Sequence, residues 1–130
     1  MLNFEIPGVP TPLKRHRTCK GKTYDPSREA KRNFAWLVKQ RSVGLFPHAE
    51  AIKVEIEYHM PIPKSYSKIA RLKAVGTPHT KKPDLTNLAK FTEDALNHIL
   101  WKDDAIIADL HVKKIYSEKP KTLIRLEKIK

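Results

Sequence analysis

The sequence is short of several features that commonly hold or direct a small protein. Cysteine occurs once, at Cys19, which rules out an intrachain disulfide and any zinc site built on a CxxC pair. That usage points to a reducing cytoplasm. No run of about 18 apolar residues occurs, as a membrane helix would need, and the opening MLNFEIPGVPTP lacks the basic-then-apolar layout of an export signal. Neither export nor membrane spanning is expected. Acids are scarce: 14 Asp and Glu stand against 26 Lys and Arg, a net charge of +12 over 130 residues. A surplus of that size makes an anionic polymer, nucleic acid first, the expected partner. The length suits one domain, and a chain of this size buries roughly 65–70% of its unfolded surface, enough for a core without metal or disulfide staples.

What is present is strongly patterned. Leu2 to Ile6 alternates and meets Pro7-Gly8, as a short strand ending in a turn does. From Gly8 to Tyr24 the chain holds Lys14, Arg15, Arg17, Lys20 and Lys22 with no acid, and Pro10 and Pro12 argue for a basic loop. Ala30, Phe34, Leu37 and Val38 recur at helical spacing, predicting a helix near 27–42 with Ser27 as N-cap and Gly44 and Pro47 beyond its end. Residues 52–60 put Ile52, Val54, Ile56, Tyr58 and Met60 on one face and Lys53, Glu55, Glu57 and His59 on the other, the period-two signature of a strand. A second acid-free basic stretch, 61–83, carries four prolines and room for a short helix from Ser67 to Gly76. Leu85, Leu88, Phe91, Ala95, Leu96 and Ile99 predict a helix over 84–100. Residues 105–116 read as a strand that starts nearly fully buried, and 121–129 as its hairpin partner across Ser117 to Pro120. The result is an α+β single domain, a mixed β-sheet with two main helices in the order β-α-β-α-β-β.

In so basic a chain, the position of the acids carries information. Asp84, Glu93, Asp94, Asp103 and Asp104 fall within 21 residues, just after Lys81 and Lys82. Mg²⁺ takes hard oxygen ligands, often one or two carboxylates completed by water and a substrate phosphate. A nuclease needs such acids beside cations that hold the DNA backbone. The acids also admit plainer roles: Asp84 after Pro83 suits an N-cap, Asp103-Asp104 a turn, and Lys90 with Asp94 an exposed helix ion pair.

Lys82-Pro83-Asp84-Leu85-Thr86-Asn87-Leu88-Ala89-Lys90, then Asp94-Ala95-Leu96, then Asp103-Asp104 before an apolar strand, resembles the signature of the RusA family of Holliday junction resolvases, D-x-D-N-L-x-K, D-A-L and D-D. Pro7-Gly8-Val9-Pro10 and His59-Met60-Pro61 resemble that family too, so the likeness covers most of the chain, and residues 1–130 are expected to form one nuclease domain. The resemblance implies a homodimeric, Mg²⁺-dependent endonuclease of phage or prophage type, with Mn²⁺ as a substitute, that resolves four-way or branched DNA by paired symmetric nicks in recombination and repair. By position it implies Asp84, Lys90 and Asp104 as catalytic residues and Asp84, Asp103 and Asp104 as metal ligands. Lys14, Arg15, Arg17, Lys81, Lys82 and Asn87 are the expected DNA contacts. The family's second motif aspartate is Thr86 here. That departure leaves three readings open: Thr86 ligates through water while Glu93 or Asp103 supplies charge, the enzyme is weak, or the chain binds junctions without cutting.

Overall fold

In the computed structural model, residues 2–14, 17–41 and 47–129 are described. Its organising element is the strand predicted over 52–60, observed as Ile52–Pro61 (β4), in which every second side chain from Ile52 to Met60 is buried. That strand sits inside a four-stranded sheet. Leu2–Pro7 (β1), Lys121–Lys128 (β6), β4 and Ile107–Ser117 (β5) lie side by side in that order. β6 runs antiparallel to both β1 and β4, while β5 runs parallel to β4, with Ile52 opposite Ile107 and Tyr58 opposite Lys114.

Two helices cover one face of the sheet, Arg28–Arg41 (α1) and Leu85–Leu96 (α3), and between them lies the core. β4 gives it Ile52, Val54, Ile56, Tyr58 and Met60, the neighbouring strands give Phe4, Ile6, Ile124 and Leu126, and the helices give Val38, Leu88 and Leu96. Phe34 of α1 meets Phe91 of α3 edge to face, centroids 5.8 Å apart. The other face keeps the polar half of the alternation, tied by cross-strand pairs such as Lys113 with Glu57 and Arg125 with Glu55. A short helix, Lys68–Ala74 (α2), starts at Ser67, whose hydroxyl accepts from the amide of Ala70. No helix among the described residues is long and apolar enough to cross a membrane.

The α+β class and the mixed sheet agree with the sequence, and five local expectations are corrected. β5 and β6 do not form a hairpin, because β4 lies between them. Alternation fixes which face a strand buries but not which neighbour it chooses. β5 is consequently an edge strand and only half-buried where it begins, not nearly fully buried. Within the supposed basic loop, Arg17–Cys19 (β2) pairs with Lys22–Tyr24 (β3) around Lys20 and Gly21, both at positive φ (51° and 77°), the backbone that tight hairpins need. Ser27 does occupy the helix entrance, but its hydroxyl accepts from the amide of Lys14 rather than from the helix. The second main helix ends at Leu96, because His98 takes a left-handed backbone (φ 67°) and its amide turns to the carbonyl of Trp101. Ser42, Gly44 and Phe46, at or just beyond the predicted end of the first helix, lie outside the described residues.

The buried Tyr58 hydroxyl lies 2.7 Å from Thr92 Oγ1, and Thr92 donates in turn to the carbonyl of Leu88. Burial pushes the Tyr58 phenol well above the usual tyrosine range, with the Glu93 charge adding to that and the Thr92 bond opposing it. Tyr58→Phe is expected to cost about 1 kcal/mol at neutral pH, since Thr92 keeps one partner. A raised phenol holds its proton more tightly in the fold, so its stabilisation is complete below the unfolded value of about 10 and is lost above it. Urea unfolding of both proteins at pH 7, 10 and 11 should therefore show the gap closing as pH rises; parallel curves would contradict the assignment.

Candidate functional site

The entrance to α3 is set by Asp84, whose carbonyl accepts the amides of Asn87 and Leu88. An aspartate at this position ordinarily spends its carboxylate on the first-turn amides. Here it makes no capping bond; the side chain is 55% exposed and stands 3.2 Å from Lys82 Nζ. The carboxylate thus remains open to solvent at the positive end of a helix. Beyond it the helix buries Leu88, Ala89, Phe91, Thr92, Ala95 and Leu96, and 3.6-residue periodicity puts Thr86, Lys90, Glu93 and Asp94 on the opposite side. Thr86, Lys90 and Asp94 are exposed and Glu93 is half-buried. Asp94 does not pair with Lys90 as the plain reading expected; Lys31 of α1 lies 3.5 Å from Asp94 and 2.6 Å from Asp25.

The N-terminal basic segment docks against this helix entrance. Leu13 donates its amide to the carbonyl of Asn87 at 3.0 Å, and the next amide, that of Lys14, reaches Ser27. These two bonds hold the backbone at Leu13 and Lys14 between Asn87 in the first turn of α3 and Ser27 at the start of α1, with the Lys14 side chain exposed. Arg15 lies outside the described residues, and Arg17 lies on β2. Lys81 and Lys82, both exposed, are separated from Asp84 by Pro83 alone.

The second acidic pair sits elsewhere. Asp103 accepts from the amide of Ala105 and caps a single 3₁₀ turn, Asp104–Ile106. Asp104 accepts the indole N–H of Trp101 at 2.7 Å, and Trp101 is wholly buried. Its neighbours hold this segment at the foot of β4: the His48 amide donates to Leu100 and the Lys102 amide to His48. Burial raises the Asp104 carboxyl, opposed by the Trp101 bond and reinforced by the charges of Asp94 and Asp103. Burial likewise raises Glu93, and Asp104 and Asp94 push it further. Glu93, Asp94, Asp103 and Asp104 therefore form one repelling acidic group near the C-terminal half of α3.

Asp84 belongs to the other end of the helix. Ten residues of α-helix separate Asp84 from Asp94, about 15 Å along the axis. Among the described residues no three His, Cys, Asp or Glu side chains gather as a metal site. The donors have the right chemistry for Mg²⁺, being carboxylates only, but one chain does not bring Asp84 and Asp104 to one ion. Three participants carry interactions that sequence reasoning misses or underweights. Trp101, an aromatic expected in the core, is wholly buried and also orients Asp104, a bond that sequence does not show. Glu93 lies about two turns from Asp84, as helix geometry expects, and its carboxyl is raised by burial and then further by the charges of Asp104 and Asp94. Lys114 donates from its Nζ to the carbonyls of both Lys81 and Pro83 at 2.6 Å; the one signal is its place in β5, on the same parity as Val112 and Tyr116.

Comparison with known proteins places this arrangement. The family model described as Endodeoxyribonuclease RusA matches residues 6–127, nearly the whole chain. A curated relative, the uncharacterized protein YqaN of Bacillus subtilis (strain 168), is 34% identical over 82 residues, covering 60% of this chain and 58% of the relative's own length. With both acids, the lysine and the basic segments inside the matched span, the chain belongs to the endodeoxyribonuclease RusA family.

Proposed function

We propose that the chain is a single-domain, divalent-metal-dependent endonuclease that binds four-way or branched DNA and resolves it by paired nicks. The observation that carries this reading is the Asp84 carboxylate, left uncapped at the entrance of α3 beside Lys82, with the basic segment at Lys14 docked on Asn87. Phosphates drawn by Lys14, Arg15, Arg17, Lys81 and Lys82 arrive where that carboxylate and Lys90 stand. Lys90 serves as a fixed cation that supports charge developing on the attacked phosphate. Asn87, whose carbonyl holds Leu13, ties the DNA-binding segment to the helix. Asp104, oriented by Trp101, and Asp103 supply the remaining carboxylates. Oxygen-only donors suit Mg²⁺, with Mn²⁺ as substitute.

A homodimer completes this proposal. A four-way junction has two-fold symmetry and needs two opposed nicks, which a C2 pair of chains matches. The split of the acids along α3 gives the dimer a second purpose, because a partner's Asp104 brought to Asp84 would assemble the carboxylates that one chain keeps apart. The competing reading is a non-cutting binder of junctions or structured nucleic acid. Thr86 favours it: this exposed first-turn position carries a hydroxyl where the family motif has an acid.

Nicking of a labelled four-way junction in Mg²⁺ separates the two. The native protein is expected to nick, and Asp84→Asn and Asp104→Asn to lose at least about 100-fold, the scale of removing one electrostatic group from a reacting centre, while still binding DNA. A pure binder would be inert in all three forms, and activity found only after Thr86→Asp would mean a scaffold silenced at that position. Co-expressing Asp84→Asn with Asp104→Asn tests the shared centre. Mixed dimers regain one intact site if the acids come from different chains, and stay dead if each chain uses its own. Replacing Lys14, Arg15 and Arg17 together should flatten the salt dependence of binding by up to about 0.9 in log–log slope for each phosphate no longer neutralised; an unchanged slope would place that segment away from DNA.

A further inference from the structure

Before it reaches Asp84, the chain runs as a strap along the outer edge of β5. Gly76 donates its amide to Tyr116, Tyr116 donates to Thr77, and His79 donates to Lys114, so the first half of the strap is held as an added strand. The buried His79 ring packs on Tyr116 with centroids 4.8 Å apart and pins that half further. After His79 the backbone bonding to the sheet stops: among the described residues no backbone hydrogen bond ties Thr80 to Pro83 to β5. Pro83 has no N–H to offer. The tie there is the Lys114 ammonium, which reaches the carbonyls of Lys81 and Pro83 from the half-buried side chain.

The choice of partners is informative. Among the described residues Lys114 enters no ion pair, although its neighbour Lys113 pairs with Glu57. Two of its three donors go to main-chain oxygens at 2.6 Å. The Pro83 carbonyl and the Asp84 amide share one planar peptide unit. Holding that oxygen fixes the plane from which the Asp84 side chain departs, and Asp84 has no capping bond of its own to fix it.

We propose that Lys114 is a positioning residue for the nuclease centre, a clamp whose ammonium grips the Lys81 and Pro83 carbonyls and thereby aims the Asp84 carboxylate. The proposal rests on the nuclease reading for its catalytic consequence, whereas the clamp itself can be judged without it. Lys114→Met keeps the aliphatic stem and removes both bonds. Lys113→Met, one residue away on the exposed side, removes the same charge and serves as the control.

Amide hydrogen exchange over residues 80–88, nicking rate at saturating junction, and junction affinity across a salt series are measured on both variants and the native protein. Lys114→Met is expected to speed exchange in that segment alone and to slow nicking about 10–100-fold, the usual cost of losing a group that orients a reacting one. Junction affinity and salt slope should match those of Lys113→Met. Unchanged exchange overturns the clamp, and nicking equal to the control overturns its role in positioning. A salt slope flatter than the control would show that the ammonium meets a DNA phosphate instead. Should Lys114→Met fail to fold, Lys114→Gln retains one donor for one carbonyl and is expected to fall between native and loss on both exchange and rate; native behaviour there sinks the idea. An inert native protein overturns the nuclease reading and with it the catalytic half, while exchange still decides whether the clamp exists.

Discussion

The parallel pairing of β4 with β5 is the constraint from which the remaining architecture follows. Parallel neighbours cannot be joined by a tight turn, so the chain must travel back along the sheet before β5 begins. That return path holds nearly everything of functional interest: α2, the strap, Asp84 with its helix, and the Trp101 turn that presents Asp103 and Asp104. The two ends of one crossover helix become the two acidic stations because Asp84 lies just before the helix, while Glu93 and Asp94 lie in its last turns and Asp103 and Asp104 follow it. Their separation is a property of the connection, set by the length of α3, rather than of local acid chemistry.

The electrostatic layout follows the same division. The Leu13–Lys14 stretch and Lys81–Lys82 lie at the entrance of α3, while the acids that repel one another lie toward its far end. At that entrance the exposed Asp84 carboxylate stands beside Lys82. The strongest concentration of negative charge is kept some distance away, against the buried indole of Trp101.

Much of this is legible in the residues. β4 and both main helices follow from hydrophobic spacing, and the motif from Lys82 to Lys90 points to the family without any geometry. Three things are not readable, for physical reasons. Period-two patterning in β5 and β6 names a buried face but not a neighbour, so a hairpin is a natural and mistaken reading. The β2–β3 hairpin turns on a Lys-Gly pair, and lysine rarely signals positive φ. Tertiary hydrogen bonds such as Lys114 to Pro83 link residues 31 apart and leave no trace in local pattern. The roles of Asp84 and Asp104 are suggested by motif; their placement at opposite ends of α3 needs coordinates.

The bond between Trp101 and Asp104 makes the two acidic stations unequal in what change they tolerate. Asp104 satisfies the one polar atom of a fully buried indole, so replacing it with an apolar residue would strand an N–H in the core at a cost of about 1–3 kcal/mol. Asp84 and Thr86 stand at an exposed helix entrance and carry no such obligation to the fold. Drift away from cutting would therefore be free to begin at the helix entrance while the acid under the tryptophan stayed in place for structural reasons. In such a lineage, retention of Asp104 would record the needs of the core and say little about the survival of catalysis, whereas the residues at 84 and 86 would track function alone.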